Sequence, residues 1–180
     1  MENRLKIGDS AQAAIRTRRD VDDGLGIRGH VRVVCRGKSG AVKWVEEGDN
    51  IVVDTGIDYI FNTDLAAASN FVGLLKAGTP DNTWTMTEAG ATANEAEDYS
   101  SGTRPAWTVV DSTAQSVTNA ASVASFAING TVTVTGAFLS TSSAKDTTGT
   151  LIAAKLFAAS RAVESGDTLE VTYSISGSST

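Results

Sequence analysis

The stretch Phe126-Ala127-Ile128-Asn129-Gly130-Thr131-Val132-Thr133-Val134-Thr135 carries the clearest structural pattern in this chain. Val132 and Val134 alternate with threonines, which is typical of a strand that buries one face and exposes the other. Asn129-Gly130 can supply the two positive φ angles of a type I′ turn, so the stretch predicts a β-hairpin. The same alternation recurs near the C-terminus at Leu169, Val171, Tyr173 and Ile175. The chain is therefore predicted to be mainly β.

Strand-like segments account for most of the sequence that surrounds this hairpin. They are 30–36, 41–45, 71–75, 106–110, 115–119, 122–129, 131–139, 151–158 and 168–176, with polar residues 46–50 as a break. One short helix is predicted to begin at Asp54 or Thr55, and its apolar face comprises Ile57, Ile60, Phe61 and Leu65. These elements predict a β-sandwich or jelly-roll-like domain with one short helix.

The chain is predicted to divide into an arm, a domain and a tail. Residues 1–28 have weak apolar periodicity and are predicted to form an extended, basic N-terminal arm. Residues 29–176 form the β domain, which includes a long polar loop at about 77–105. Residues 177–180 are predicted to be a frayed tail.

Charge is distributed unevenly over the 180 residues. The whole chain has 15 Lys and Arg against 21 Asp and Glu, a net charge of -6, which does not favour nucleic-acid binding over the whole surface. Residues 1–45 contain ten basic and five acidic residues and have a net charge of +5. The rest of the chain has a net charge of -11. A basic N-terminal segment followed by an acidic remainder suggests association with an acidic neighbour, which includes another copy of this chain. The alternative is a basic face that is solvated and has no partner.

The residues that usually carry catalysis or bind metals are scarce. Cys35 and His30 are the single cysteine and histidine, so the sequence excludes an intrachain disulfide and a zinc site built from thiolates. Cys35 is expected to be a small buried apolar residue, and His30 to have a structural or surface role. Asp20, Asp22 and Asp23 do not continue into the spacing of an EF-hand calcium loop. We therefore predict no enzyme activity, no metal and no cofactor.

One acidic cluster leaves a carbohydrate-binding alternative open. The cluster comprises Glu88, Glu95, Glu97 and Asp98, and the nearby aromatic residues are Trp84, Tyr99 and Trp107. Paired carboxylates with an aromatic cleft are typical of sites that act on sugars. The alternative is that the tryptophans attach the long loop to the sandwich.

No apolar run approaches the ~20 residues that cross a bilayer. The N-terminus lacks the apolar stretch of a signal peptide, so synthesis in the cytoplasm is expected.

Several ordered segments resemble tailed-bacteriophage structural proteins. They are 50–60, 71–74, 104–107, 116–119, 126–131, 136–139, 149–151 and 165–169, so the resemblance extends from about Asn50 to Ile175. It implies a virion protein with the role of capsid decoration (cement), head–tail joining or tail structure. Decoration is the first choice, because a rigid sheet domain with an arm can hold neighbouring capsomers together. A tail-tube or head–tail joining protein is the alternative.

The resemblance also implies partners and a location. The expected partners are the major capsid protein or neighbouring virion subunits and further copies of the chain as a trimer or dimer, with no direct contact to nucleic acid or membrane. The expected location is the virion capsid, after synthesis in the host cytoplasm. The candidate partner-binding residues are the apolar anchors and arginines of the arm, Leu5, Ile7, Ile15, Arg16, Arg18 and Arg19.

Overall fold

The computed structural model describes residues 25–62, 69–109 and 116–179. Its strands are β1 (Leu25–Arg36), β2 (Val42–Val52), β3 (Asn70–Leu75), β4 (Ala106–Trp107), β5 (Ser116–Thr118), β6 (Ala124–Ala127), β7 (Val132–Ser140), β8 (Leu151–Val163) and β9 (Thr168–Ser179). Its helices are α1 (Asp54–Asn62) and α2 (Met86–Ala89). The prediction of a mainly-β fold is confirmed.

The strands form one antiparallel sheet that curls until its two halves face each other. The order of neighbouring strands is β4-β3-β7-β8-β2-β1-β9-β5, and β6 also pairs with β9. β1 pairs with β9 along its whole length, from Leu25↔Ser179 to Arg36↔Thr168, and with β2 from Gly29 onward. β1 therefore lies at the centre of one half of the sheet.

The main core fills the space between the two halves. Val33, Phe126 and Val171 contribute from the half that contains β1, and Val134 and Leu139 contribute from the half that contains β7. All five side chains are fully buried. The inward-facing apolar positions thus drive the curl, because each half covers the apolar face of the other.

The predicted hairpin around Asn129-Gly130 is wrong. Phe126 of β6 pairs with Leu169 of β9, while β7 pairs with β3 and β8. The residues between them cross from one half of the sheet to the other, and Asn129 N–H donates to the carbonyl of Asp98 at 3.1 Å. Gly130 is not among the glycines with positive φ in the described residues. Burial of Phe126 against β9 therefore outweighs the local preference for a turn.

The predicted break at residues 46–50 is also wrong, because β2 is continuous through it. Arg32 of β1 pairs with Glu47, and Val33 pairs with Glu46. Polar residues are tolerated there because one face of β2 is open to solvent, and because the Glu46 carboxylate has partners of its own.

The boundaries of the predicted domain also shift. β1 begins before residue 29, and β9 continues beyond residue 176 into the predicted tail. A second short helix, α2, lies within the predicted loop 77–105. The helix prediction is met by α1, although Leu65 lies outside the described residues.

Candidate functional site

The six candidate partner-binding residues all lie outside the described residues, since they fall in 1–24. The structure instead describes the strand that directly follows them. Arg28, His30 and Arg32 are exposed on the outer face of β1. The inner face of the same strand presents Val31 and Val33 to the core. The arm is thus continuous with a strand that combines a buried apolar face and an exposed basic face.

Acidic residues of later strands flank that basic face. Arg32 Nε lies 3.3 Å from Glu47 Oε2, and His30 Nδ1 lies 3.3 Å from Asp49 Oδ1. Both pairs join β1 to the outer face of β2. Because these pairs are solvent-exposed, each stabilises the fold by only about 0–1 kcal/mol. Their main effect is to offset the positive charge of β1 locally.

Other basic residues near the N-terminus are also paired. Arg36 Nε donates to Glu170 Oε2 at 2.9 Å, and Lys43 Nζ donates to Asp167 Oδ2 at 2.7 Å. The hydrogen bond to Asp167 raises the pKa of Lys43. Acidic residues of the same chain therefore compensate much of the basic excess in residues 25–45.

The central residue of the acidic cluster in the long loop, Glu95, has a structural role. Glu95 and Arg104 are both fully buried, and the guanidinium donates two hydrogen bonds to the carboxylate, Nε to Oε1 at 2.7 Å and Nη2 to Oε2 at 2.6 Å. Arg104 also donates to the carbonyls of Ser142 at 3.0 Å and Asp146 at 2.7 Å. This ion pair connects the long loop to the β7–β8 connection. Glu95 is consequently closed off from a substrate.

In the rest of the cluster, Glu88 is engaged through its carboxylate and Glu97 through its backbone carbonyl. Glu88 accepts hydrogen bonds from the N–H of Thr85 at 2.9 Å and from its hydroxyl at 2.6 Å, and these bonds lower the pKa of Glu88. This is a capping box at the start of α2. Lys145 Nζ donates to the carbonyl of Glu97 at 3.2 Å and lies 3.6 Å from the centre of the Tyr99 ring. These contacts hold the long connection in place.

The aromatic residues near this cluster do not form an exposed platform. Tyr99 and Trp107 are each 3% exposed and belong to the main core, while Trp84 packs on a second cluster around Met86. Trp107 Nε1 donates to the carbonyl of Tyr173 on β9 at 3.1 Å. This arrangement matches the interpretation that the tryptophans attach the long loop, and of these three rings only that of Trp84 is partly exposed.

The single cysteine is buried and the single histidine is exposed, in line with the expectations from the sequence. Cys35 is fully buried, and burial raises the pKa of its thiol to about 11. His30 is exposed on β1. Across residues 25–62, 69–109 and 116–179, no group of three or more His, Cys, Asp or Glu side chains could hold a metal ion. Neither described helix is long and apolar enough to cross a membrane.

A cleft of about 370 Å³ lies beside α1 and α2. Its lining residues are Thr55, Tyr59, Thr85, Met86, Gly149, Thr150 and Leu151. The Thr55 hydroxyl donates to the Leu151 carbonyl at 3.0 Å, and the Thr85 hydroxyl is bound to Glu88. Among the described residues, this lining has hydroxyl groups from Thr55, Tyr59, Thr85 and Thr150 but no carboxylate, imidazole, thiol or amine.

Sequence reasoning missed an ion pair between β2 and β8. Glu46 is 8% exposed on the inner side of β2, where its carboxylate accepts from Arg161 Nη2 at 2.8 Å and from the Ala158 N–H at 2.8 Å. Arg161 lies beside an irregular stretch of β8, where the register with β7 shifts after Val134. More than a hundred residues separate the partners, so no local pattern indicates the pair.

Replacing Glu46 by glutamine should lower the free energy of unfolding by on the order of 1–3 kcal/mol at neutral pH. The hydrogen bond from Arg161 lowers the pKa of Glu46 from its ordinary value near 4.5. Because the folded-state pKa is lowered, this stabilisation is present above the ordinary value and is lost as the pH falls through the folded value. Urea unfolding at a series of pH values should show a difference between wild type and Glu46→Gln that narrows in acid. A difference that stays constant into acid would contradict the assignment.

Comparisons with protein-family models, with curated proteins and with solved structures give no match to this chain.

Proposed function

We propose that this protein is a structural component of a tailed-bacteriophage virion, and that it decorates and stabilises the capsid. The proposal rests first on the resemblance of its ordered segments between Asn50 and Ile175 to such proteins. The buried carboxylates Glu46 and Glu95 are both bound by arginines of the same chain, and this supports a structural role over a catalytic one. The proposed partners are the major capsid protein or neighbouring virion subunits.

The position of β1 is the structural observation that supports the proposal. The arm leads directly into β1, which pairs with β9 along its whole length and with β2 from Gly29 to Arg36. A force on the arm along the direction of β1 would act in shear on the hydrogen bonds that join β1 to β9 and to β2. Many hydrogen bonds would then have to break together. An anchor of this kind suits a protein that spans a seam between capsomers.

A tail-tube or head–tail joining role is the second candidate. Tail subunits also combine sheet domains with arms, so the same β1 anchor supports this role. An electron-microscopy map of the assembled particle distinguishes the candidates, because it places the protein on the head, at the neck or along the tail. Density on the tail alone would contradict the decoration role.

Deletion of residues 1–24 is expected to abolish attachment to particles and to leave the β domain folded. The deletion ends at residue 24 because residues from Leu25 onward pair with β9. Ordering an arm of this length costs on the order of 20–40 kcal/mol of backbone entropy. Surface ion pairs worth about 0–1 kcal/mol each cannot offset that cost, so Leu5, Ile7 and Ile15 must be buried at the partner.

Two triple variants separate the apolar and charged contributions of the arm. Changing Leu5, Ile7 and Ile15 together to serine should abolish attachment, whereas changing Arg16, Arg18 and Arg19 together to alanine should weaken it in a salt-dependent way. Arg32→Ala, which removes an exposed arginine of β1, is the matched control and should attach normally. Co-sedimentation with particles that lack the protein measures binding, and circular dichroism checks folding. Normal attachment of the deleted protein would assign binding to the β domain.

A further inference from the structure

The sheet opens between β2 and β8. These strands pair at two positions only, Ile51↔Ala154 and Val52↔Ala153. Beyond that point β8 passes across the inner side of β2, where the Ala158 N–H reaches Glu46 and the Phe157 ring lies 6.1 Å from that of Trp44. Within the described ranges, residues 42–50 of β2 thus have a strand partner on the β1 side and none on the other.

This open edge is also apolar for a surface strand. Among the described residues, four large apolar side chains are markedly exposed. Two of them, Val42 at 51% and Val45 at 39%, lie on the open part of β2, and a third, Ile51 at 41%, lies where β2 pairs with β8. The fourth is Val123 at 38%, outside any strand. An unpaired strand edge with exposed β-branched residues favours pairing with another strand.

One of the usual protections of such an edge is reduced here. A charged residue that points inward often prevents pairing, because a second strand would bury its charge. The inward charge on β2 is Glu46, which is already bound by Arg161 and the Ala158 N–H inside its own chain. The edge can therefore accept a strand without burying a new unpaired charge.

We infer that β2 pairs antiparallel with β2 of a second copy of this chain across a twofold axis at Val45. This inference does not depend on the proposed function. The register places Val45 opposite Val45 of the second copy and Glu47 opposite its Lys43, so that an apolar contact lies at the centre and opposite charges flank it. In this register Glu46, Glu47 and Asp49 of one copy do not lie opposite acidic residues of the other. Such an interface is self-complementary and closes as a dimer, which selects the dimer from the two predicted oligomers.

Sedimentation velocity of the full chain at micromolar concentrations is expected to show a dimer. Val45→Lys places two like charges at the axis, and it should raise the dissociation constant at least about tenfold. Val123→Lys is the matched control, since Val123 has nearly the same exposure but lies away from β2, and it should leave the dimer unchanged. Circular dichroism should show that both variants fold.

A cysteine variant tests the register directly. Directly opposed residues of an antiparallel pair have Cβ atoms about 4.5–5.5 Å apart, close to disulfide distance, so Val45→Cys should form a disulfide-linked dimer under mild oxidation. Val123→Cys should not, and the native Cys35 is buried. A monomer or a trimer, a dimer that Val45→Lys does not weaken, or the absence of the Val45→Cys cross-link would each overturn the inference.

Discussion

Replacing Arg104 by methionine is expected to lower the free energy of unfolding by about 3–5 kcal/mol. Methionine keeps much of the side-chain length but leaves the Glu95 carboxylate without its two hydrogen bonds from the guanidinium. Both partners are fully buried, so solvent cannot replace the lost cation. An uncompensated buried charge is among the largest single defects that a fold can carry.

The backbone around Arg104 adds to the loss. The guanidinium also satisfies the carbonyls of Ser142 and Asp146, and it lies 5.1 Å from the centre of the Phe138 ring. Its removal therefore loosens the long loop and the β7–β8 connection together. For a protein of this size the loss corresponds to a fall in melting temperature of roughly 6–20 °C.

Two further variants test this explanation. Arg32→Met removes an exposed arginine that pairs with Glu47, and it should change the stability by no more than about 1 kcal/mol. The double variant Arg104→Met, Glu95→Leu removes both buried charges, and it should recover part of the loss. The recovery should be incomplete, because the two carbonyls remain without their donor. Thermal unfolding gives all three values, and equal effects of Arg104→Met and Arg32→Met would contradict the assignment.

The sequence predicts individual strands better than it predicts their partners. β3 and β9 can be recognised from short apolar or alternating runs, because burial of one face is a local property of the chain. Pairing depends on distant residues, and the Asn129-Gly130 turn signal therefore gave the wrong partner for β6. The pairing of Phe126 with Leu169 rests on a shared core that no local window contains.

The same limit applies to the candidate site. The burial of Cys35 and the exposure of His30 could be anticipated, since each follows from its neighbours along the strand. The roles of Glu95 and Glu46 could not, because both depend on arginines that the fold brings to them. Before the fold is known, a carboxylate bound to a buried arginine cannot be distinguished from one that faces a substrate.

Asn119 is another residue whose importance emerges only from the fold. It is fully buried, although asparagine usually lies at the surface. It follows β5, at the point where the outer edge of β9 passes from pairing with β5 to pairing with β6. Its side-chain oxygen accepts from the Tyr173 N–H at 2.7 Å, and its Nδ2 donates to the Val171 carbonyl at 3.1 Å. The amide thus replaces one residue of a strand between β5 and β6.

Replacing Asn119 by alanine is expected to lower the free energy of unfolding by roughly 2–6 kcal/mol, since each buried backbone group left unpaired costs about 1–3 kcal/mol. Asn129→Ala is the matched control, because Asn129 is exposed, and it should change the stability by less than about 0.5 kcal/mol. Hydrogen exchange separates the proposed cause from a general loss of packing. If the Asn119 amide holds the edge of β9, the Tyr173 amide should exchange faster in the variant than its neighbours that pair with β1. A uniform increase along β9 would instead show that the alanine acts through global unfolding.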